Sequence, residues 1–293
     1  MTPLHLMLAV LATAIWGTNF VIIKWGLSVF PPLLFATLRF AASAIPWILF
    51  VRRPPLPWRF FMVFGTLLGA GQFGLLFLAL RHDIAPGIAS LIMQSQVFFT
   101  IAISATFLRE RVATRQVLAL LLATSGIALI GWRTIEGTDA TVTGTGFLLV
   151  LGAAFSWSLS NQVARRAGRV NMLGFMVWSS LFSVPPLLLL SLVFEDWYQV
   201  PGILARASPA AWAVVAWQAV GNTLIGFGVW NWLVARYAAA TVTPIALLIP
   251  VFGMSSAALF LGEPLPPWKL TAAGLVMGGL ALNVLATRVA ASR

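Results

Sequence analysis

Charge is scarce in this sequence, histidine is nearly missing and cysteine is absent. Of the 293 residues only 9% are Asp, Glu, Lys or Arg, with seven acids, two histidines and no cysteine. A soluble domain carries about 25% charged residues, so this chain cannot clothe a water-facing surface. The lack of Cys removes disulfides, thiolate metal sites and Cys nucleophiles. His5 and His82 fall at the start of the chain and between apolar segments, and one His beside Asp83 does not make a metal site. What the chain has instead is apolar: 60% of its residues are hydrophobic and the mean hydropathy is +0.95. These values describe a polytopic membrane protein.

Crossing about 30 Å of hydrocarbon takes about 20 apolar residues. Ten such runs are present, at 4–23, 30–51, 60–80, 84–108, 116–132, 145–164, 172–194, 210–233, 240–260 and 268–287. They leave only short connections, so no soluble domain is expected and the function resides within the membrane. Ala12-Thr13-Ala14 resembles a cleavage site, but no Lys or Arg precedes Lys24, as a signal peptide would require. Residues 4–23 therefore read as a permanent first span.

The formal charge of +11 would suggest nucleic acid in a soluble protein. With the N-terminus in the cytoplasm, the cytoplasmic side holds Arg52, Arg53, Arg59, Arg109, Arg111, Arg115, Arg165, Arg166, Arg169, Arg236, Arg288 and Arg293. The opposite side holds Lys24, Arg81, Arg133, Arg206 and Lys269. Twelve against five in short loops is a positive-inside bias. It predicts cytoplasmic termini in an inner membrane and leaves nucleic acid unneeded as a partner.

The polar stretch 133–144 divides the chain into 1–132, with five spans, and 145–293, with five more. The halves echo each other. Phe107-Leu108-Arg109-Glu110 is followed sixteen residues after its Glu by Gly126, and Phe260-Leu261-Gly262-Glu263 by Gly279 at the same distance. An odd number of spans per repeat makes the second copy enter the membrane from the opposite side. The expected fold class is an all-α integral membrane protein with ten transmembrane helices as two inverted five-helix repeats. Secondary transporters use this arrangement, binding substrate near the midplane between repeats.

Trp16-Gly17-Thr18-Asn19-Phe20 with Lys24, Leu38-Arg39-Phe40, and the two Phe-Leu-x-Glu ends carry a resemblance over nearly the whole chain. The sequence resembles the EamA family of the drug/metabolite transporter superfamily, and its Trp-rich helices look most like the YddG-type exporters of aromatic and neutral amino acids. That resemblance implies ten helices in two repeats and a small-molecule substrate. This sequence departs from the family pattern at Gln96, where Pro is common.

Buried polar groups in hydrocarbon are costly, so those that persist mark a cavity or helix contacts. Asn19, Gln72, Gln94, Gln96, Asn161 and Asn222 fall inside spans 1, 3, 4, 6 and 8, with Thr100, Ser104, Ser160 and Gln218. As a set they predict a polar-lined central cavity. Trp25, Trp58, Trp132, Trp197, Trp212 and Trp268 sit at span ends, as an interfacial belt does. Trp16, Trp157, Trp178 and Trp230 lie deeper, with Trp16 and Trp157 at like positions in the two halves. Such rings serve packing or an aromatic substrate wall.

Arg39 is the basic residue set well inside a span, roughly 14 Å from its end at 1.5 Å per residue. It meets a substrate carboxylate or ties span 2 to its neighbours. No acid sits at mid-depth, which argues against a proton relay. Glu110 and Glu263 precede spans 5 and 10, where a helix N-terminus accommodates them. Gly65-x-x-x-Gly69 and Gly274-x-x-x-Gly278 read as close-packing faces, while Pro46 and Pro185 should kink or loosen their helices.

The candidate substrate-binding set is Trp16, Asn19, Arg39, Gln72, Gln94, Gln96, Trp157, Asn161, Asn222 and Trp230. No catalytic residue, metal ligand or cofactor is expected; the partners are a small-molecule substrate and membrane lipid, and monomer and homodimer stay equally open. The function expected is export of neutral or aromatic amino acids, or similar small metabolites, by alternating access. Export of drug-like organic cations is the alternative, with an intramembrane enzyme remote because nucleophile and base are lacking at depth.

Overall fold

In the computed structural model, residues 1–107, 114–137, 140–168, 170–237 and 239–291 are described. Span 1 is Pro3–Leu27, span 2 Pro32–Ala44 and span 3 Trp58–His82. Span 4 comprises Pro86–Ile92 and Ser95–Phe107, joined through Met93 and Gln94; span 5 is Thr114–Glu136. Span 6 is Gly144–Ala167 and span 7 Met172–Phe194. Span 8 runs through Pro209–Ala216, Trp217–Gly226 and Phe227–Arg236. Span 9 runs through Ala239–Val242, Thr243–Leu247 and Leu248–Leu261, and span 10 is Pro267–Ala291. Nine of these are long and apolar enough to cross a membrane; span 2 is the shorter apolar tenth. Leu108, Arg109, Glu110, Arg111, Arg169 and Arg293, singled out from the sequence, lie outside the described residues.

Span 2 departs from the expected 30–51. Its regular helix stops at Ala44, two residues before Pro46, and continues to Val51 as turns closed by Ile48 N–H to Ala44 O and Val51 N–H to Trp47 O. Pro46 offers no N–H, so the regular ladder breaks there although Ile45 itself keeps helical backbone. Pro185 and Pro186, in contrast, stay inside span 7.

The connections after odd-numbered spans meet at one end of the bundle. Glu195 of the 7–8 connection accepts from Leu33 N–H (2.6 Å) and Leu34 N–H (2.9 Å) at the start of span 2, and Arg81 donates to Phe30 O (2.8 Å). Thr143 donates to Asp83 Oδ1 (2.9 Å), pinning the inter-repeat linker to the 3–4 turn. At the other end, with the chain's termini, His5 meets Tyr237 and the Trp178 indole donates to Val51 O.

Helix pairing follows a two-fold exchange of span n with span n+5. Span 1 packs on 9 and span 6 on 4; span 3 packs on 6 and span 8 on 1; spans 2 and 7, and 5 and 10, pair with each other. At the 5–10 crossing the exchange is legible in single residues. A Cβ on Gly126 would lie 2.8 Å from Ala272 O, and one on Gly279 would lie 2.6 Å from Ala119 O. The missing side chains let the backbones touch. Gly65 and Gly69 likewise abut Ser179 and Ser183 of span 7. Of the expected Gly274-x-x-x-Gly278 face only half forms: nothing lies near Gly274, a Cβ on Gly278 would lie 3.4 Å from Leu122 of span 5, and Gly279 supplies the closer contact.

Glu263 also differs from expectation. It does not cap the helix that follows it. Its carboxylate accepts from Gly87 N–H (2.9 Å), the first free donor after Pro86 of span 4, and pairs with buried Lys269 (3.4 Å). A helix N-terminus is still the partner, but it belongs to the other repeat.

Candidate functional site

Two features loosen the helices around the centre of the bundle. Leu67–Gly74 in span 3 and Trp217–Gly226 in span 8 wind as π-helix, in repeat-equivalent helices. The wider turn displaces backbone carbonyls from their usual donors and is common at functional sites. Side chains from crossing helices take up two of these: Ser156 donates to Leu67 O (2.8 Å) and the Trp16 indole to Asn222 O (3.3 Å). Spans 4 and 9 are interrupted too, at Met93–Gln94 and over the 3₁₀ segment Thr243–Leu247.

These irregular stretches border two adjoining cavities. The smaller, about 60 Å³, is lined by Trp16, Asn19, Phe20, Gln72, Phe73, Ser90, Gln94, Trp157, Asn222 and Phe227, among others. The larger, about 530 Å³, adds Gln96, Asn161, Met172, Met176 and Trp230 and draws on the terminus-bearing ends of spans 3, 6, 7, 8 and 10. Trp16, Gln94, Trp157, Phe227 and Ile249 belong to both. The larger volume falls within the roughly 300–1,000 Å³ of small-molecule sites.

Nine of the ten residues chosen from the sequence line one or both cavities. Trp16 and Trp157 stand in both walls, and Trp16 packs on Trp230 with centroids 5.2 Å apart. Asn161 donates to Gln96 Oε1 (3.0 Å), crossing from span 6 to span 4. Farther along span 4, Ser104 accepts from Gln162 (3.0 Å), so that part of span 4 is tied to span 6.

Arg39 is the exception. It is fully buried and absent from both linings. Its Nη1 donates to Gln218 Oε1 (2.9 Å) and its Nη2 to Thr223 Oγ1 (3.2 Å), both in the π-helical stretch of span 8. Its guanidinium carbon lies 3.6 Å from the centroid of Phe73, a cavity-wall residue. Gln218 in turn donates to Asn19 Oδ1 (2.8 Å).

Several lining residues were not singled out from the sequence: Phe227, Phe73, Met93, Ile249, Met172 and Met176. Apolar residues in an apolar helix carry no signal of which face meets a cavity. Phe227 had a weak one, its position between Gly226 and Gly228. Trp178, though deep, is spent on Val51 and a 6.0 Å edge contact with Trp58.

A ten-span bundle with exchanged repeats around a central cavity defines a membrane transporter by architecture. The EamA-like transporter family matches residues 4–132 and again 144–285, and the chain belongs to that family. It is 37% identical to a probable amino-acid metabolite efflux pump of Salmonella typhimurium, over 96% of this chain and 95% of the relative. It is 35% identical to the Escherichia coli protein of the same description, with the same coverage. It is 27% identical to a probable terminal-alkyne amino-acid exporter of Streptantibioticus cattleyicolor, over 67% of this chain and 63% of that one. A crystal structure at 20% identity shares the fold, with a TM-score of 0.62 over 97% of this chain and 98% of that chain. The protein is thus an integral membrane transporter with a small-molecule substrate and a lipid environment.

Proposed function

We propose that the protein exports neutral and aromatic amino acids across the inner membrane by alternating access, residues 1–132 and 145–293 moving as two halves. The observation that supports this best is the joined cavity between Trp16 and Trp157, one from each half, where carboxamides stand beside aromatic and methionine walls. Aromatic walls favour an apolar side chain through area burial and ring contacts. Asn19, Gln72, Gln94 and Asn222 supply donors and acceptors for a zwitterionic head, Gln96 and Asn161 join spans 4 and 6 at the wall of the larger cavity, and Trp230 extends the aromatic wall.

With the termini in the cytoplasm, as the basic residues favour, the larger cavity faces the side from which an exporter loads. Spans 1, 9 and 4 meet beside the smaller cavity, Gly17 against Ile249 and Phe252, and Gly253 against Ser90. Separation along those glycine contacts would open the other side. Among the described residues no Asp or Glu lines either cavity, which favours exchange or facilitated diffusion over obligatory proton coupling.

Purified protein in liposomes preloaded with unlabelled amino acid is expected to take up labelled leucine, phenylalanine and tryptophan by counterflow. No counterflow across a broad amino-acid panel would overturn the reading. Concentrative uptake driven by an imposed pH gradient alone would overturn the coupling assignment.

A further inference from the structure

We infer that the smaller cavity is a head-group subsite for a free α-amino acid, and that Arg39 sets its carboxylate end through Gln218 and Asn19 without touching the substrate. This deepens the amino-acid reading above and rests on it.

The direction of the relay follows from donor chemistry. A guanidinium has donors and no acceptor, so Gln218 must turn Oε1 toward Arg39, as it does at 2.9 Å. Its Nε2 is then obliged to donate, and Asn19 Oδ1 receives it at 2.8 Å. With Oδ1 turned to Gln218, the opposite end of the Asn19 carboxamide is its Nδ2–H₂ donor, and that end is the one the relay offers to the cavity. Each amide is polarised in the same sense by the charge behind it, and low dielectric strengthens such a chain. The positive end of the relay therefore faces the cavity that Asn19 lines.

Arg39 also lacks a counter-charge. The ion pairs between described residues join Arg133 to Glu136 and Lys269 to Glu263, and Arg39 is in neither. A buried cation that meets an amide oxygen, a hydroxyl oxygen and the rings of Phe73 and Phe40, with no carboxylate among the described residues, is costly. Phe73 separates it from the smaller cavity by one ring. An anion held at Asn19 would sit where that unbalanced charge favours it.

Gln72 supplies the opposite pole. It lines the same cavity, is 5% exposed, and its Oε1 is buried without a hydrogen-bond partner. An unsatisfied buried acceptor is costly, and a turn of the Gln72 carboxamide toward the cavity would let a substrate ammonium satisfy it. About 60 Å³ holds a few water-sized groups, which suits an α-carbon with its carboxylate and ammonium. The adjoining 530 Å³ is left for the side chain, between Trp16, Trp157, Phe227 and Trp230. The site would thus read the two charged groups shared by all α-amino acids and tolerate varied side chains.

The test uses the full-length protein in liposomes, with labelled phenylalanine as probe. Unlabelled phenylalanine, its methyl ester and N-acetylphenylalanine compete. In the wild type, removing either charge should weaken competition roughly 10- to 100-fold, the scale of one hydrogen bond to a charged group. Asn19→Asp keeps an acceptor for Gln218 but sets an oxygen where the donor stood. It should weaken the free acid at least about ten-fold while the ester competes as well or better. Arg39→Gln should lower the acid-over-ester preference without changing the N-acetyl ratio. Gln72→Leu should erase the preference over N-acetylphenylalanine while leaving the ester ratio. Equal competition by all three compounds in the wild type, a comparison that needs no variant, would overturn the subsite. Unchanged ratios in folded Asn19→Asp and Arg39→Gln would overturn the relay. No phenylalanine counterflow by the folded wild type would instead remove the amino-acid reading itself.

Discussion

The 5–10 pair and the 3–8 pair are both related by the repeat exchange, yet they treat it differently. At the 5–10 crossing the equivalence reaches single residues, with Gly126 and Gly279 each against an alanine carbonyl of the other helix. In spans 3 and 8 the backbone is matched, since both turn π-helical, but the side chains are not. Span 3 brings Gln72 to the smaller cavity; span 8 brings Asn222 there, and its Gln218 and Thr223 hold Arg39 behind the wall. In these two pairs symmetry is kept where the helices only pack and is lost where they bring polar side chains to the cavity. A zwitterion has two different ends, so a site that reads both cannot be symmetric.

Four sets of substitutions would break or sharpen this contrast. Gly126→Leu and Gly279→Leu should be the most damaging, each costing about 1–3 kcal/mol or more by overpacking. Their thermal stabilities should fall by similar amounts; a large inequality would deny the symmetric crossing. Gln218→Leu comes next, because it strips a partner from a buried cation, at about 1.5–3 kcal/mol. Thermal unfolding of this variant checks it: an unchanged stability would deny that Gln218 holds the buried guanidinium.

Trp157→Ala should lower counterflow by up to about ten-fold, the scale of an aromatic contact, at unchanged expression. Trp178→Ala, a deep Trp outside the cavities, should lower stability rather than substrate competition. Gln96→Leu or Asn161→Leu should have the smallest effect, about 0.6 kcal/mol or a threefold change, since one interhelical hydrogen bond is at stake. A ten-fold loss in competition assays would instead make that pair part of the substrate contact.

Much of this molecule is legible in its sequence because the bilayer is a demanding solvent. Backbone groups must be satisfied within each segment, so apolar runs declare helices, and polar residues within them declare either contact or cavity. Asn19, Gln72, Gln94 and Asn222 were found that way. The equal spacing from Glu110 to Gly126 and from Glu263 to Gly279 marked the duplication, and Gly126 and Gly279 prove to be the crossing points.

Other features had no local signature. Arg39 could be recognised as costly, but its partners lie 179 and 184 residues away. Whether it faced a substrate or a neighbour depended on where span 8 passed. Glu263 looked like a cap for the helix beside it and instead serves span 4, because spans 4 and 9 approach each other at that end. The π-helical stretches are rich in glycine, with Gly69, Gly71 and Gly74 in one and Gly221 and Gly226 in the other, but glycine does not by itself declare a wider turn; they widen where crossing side chains from spans 1 and 6 take up carbonyls.

What opened as a shortage of charge therefore divides in two. Ten membrane spans in two related halves follow from the residues alone, since hydropathy, basic residues and repeated glycines are properties of segments. Which carboxamides share a cavity, and that Arg39 stands behind its wall instead of in it, became fixed only on folding. Those outcomes are set by the crossing of helices remote in the chain, where one missing side chain or one wider turn redirects a hydrogen bond.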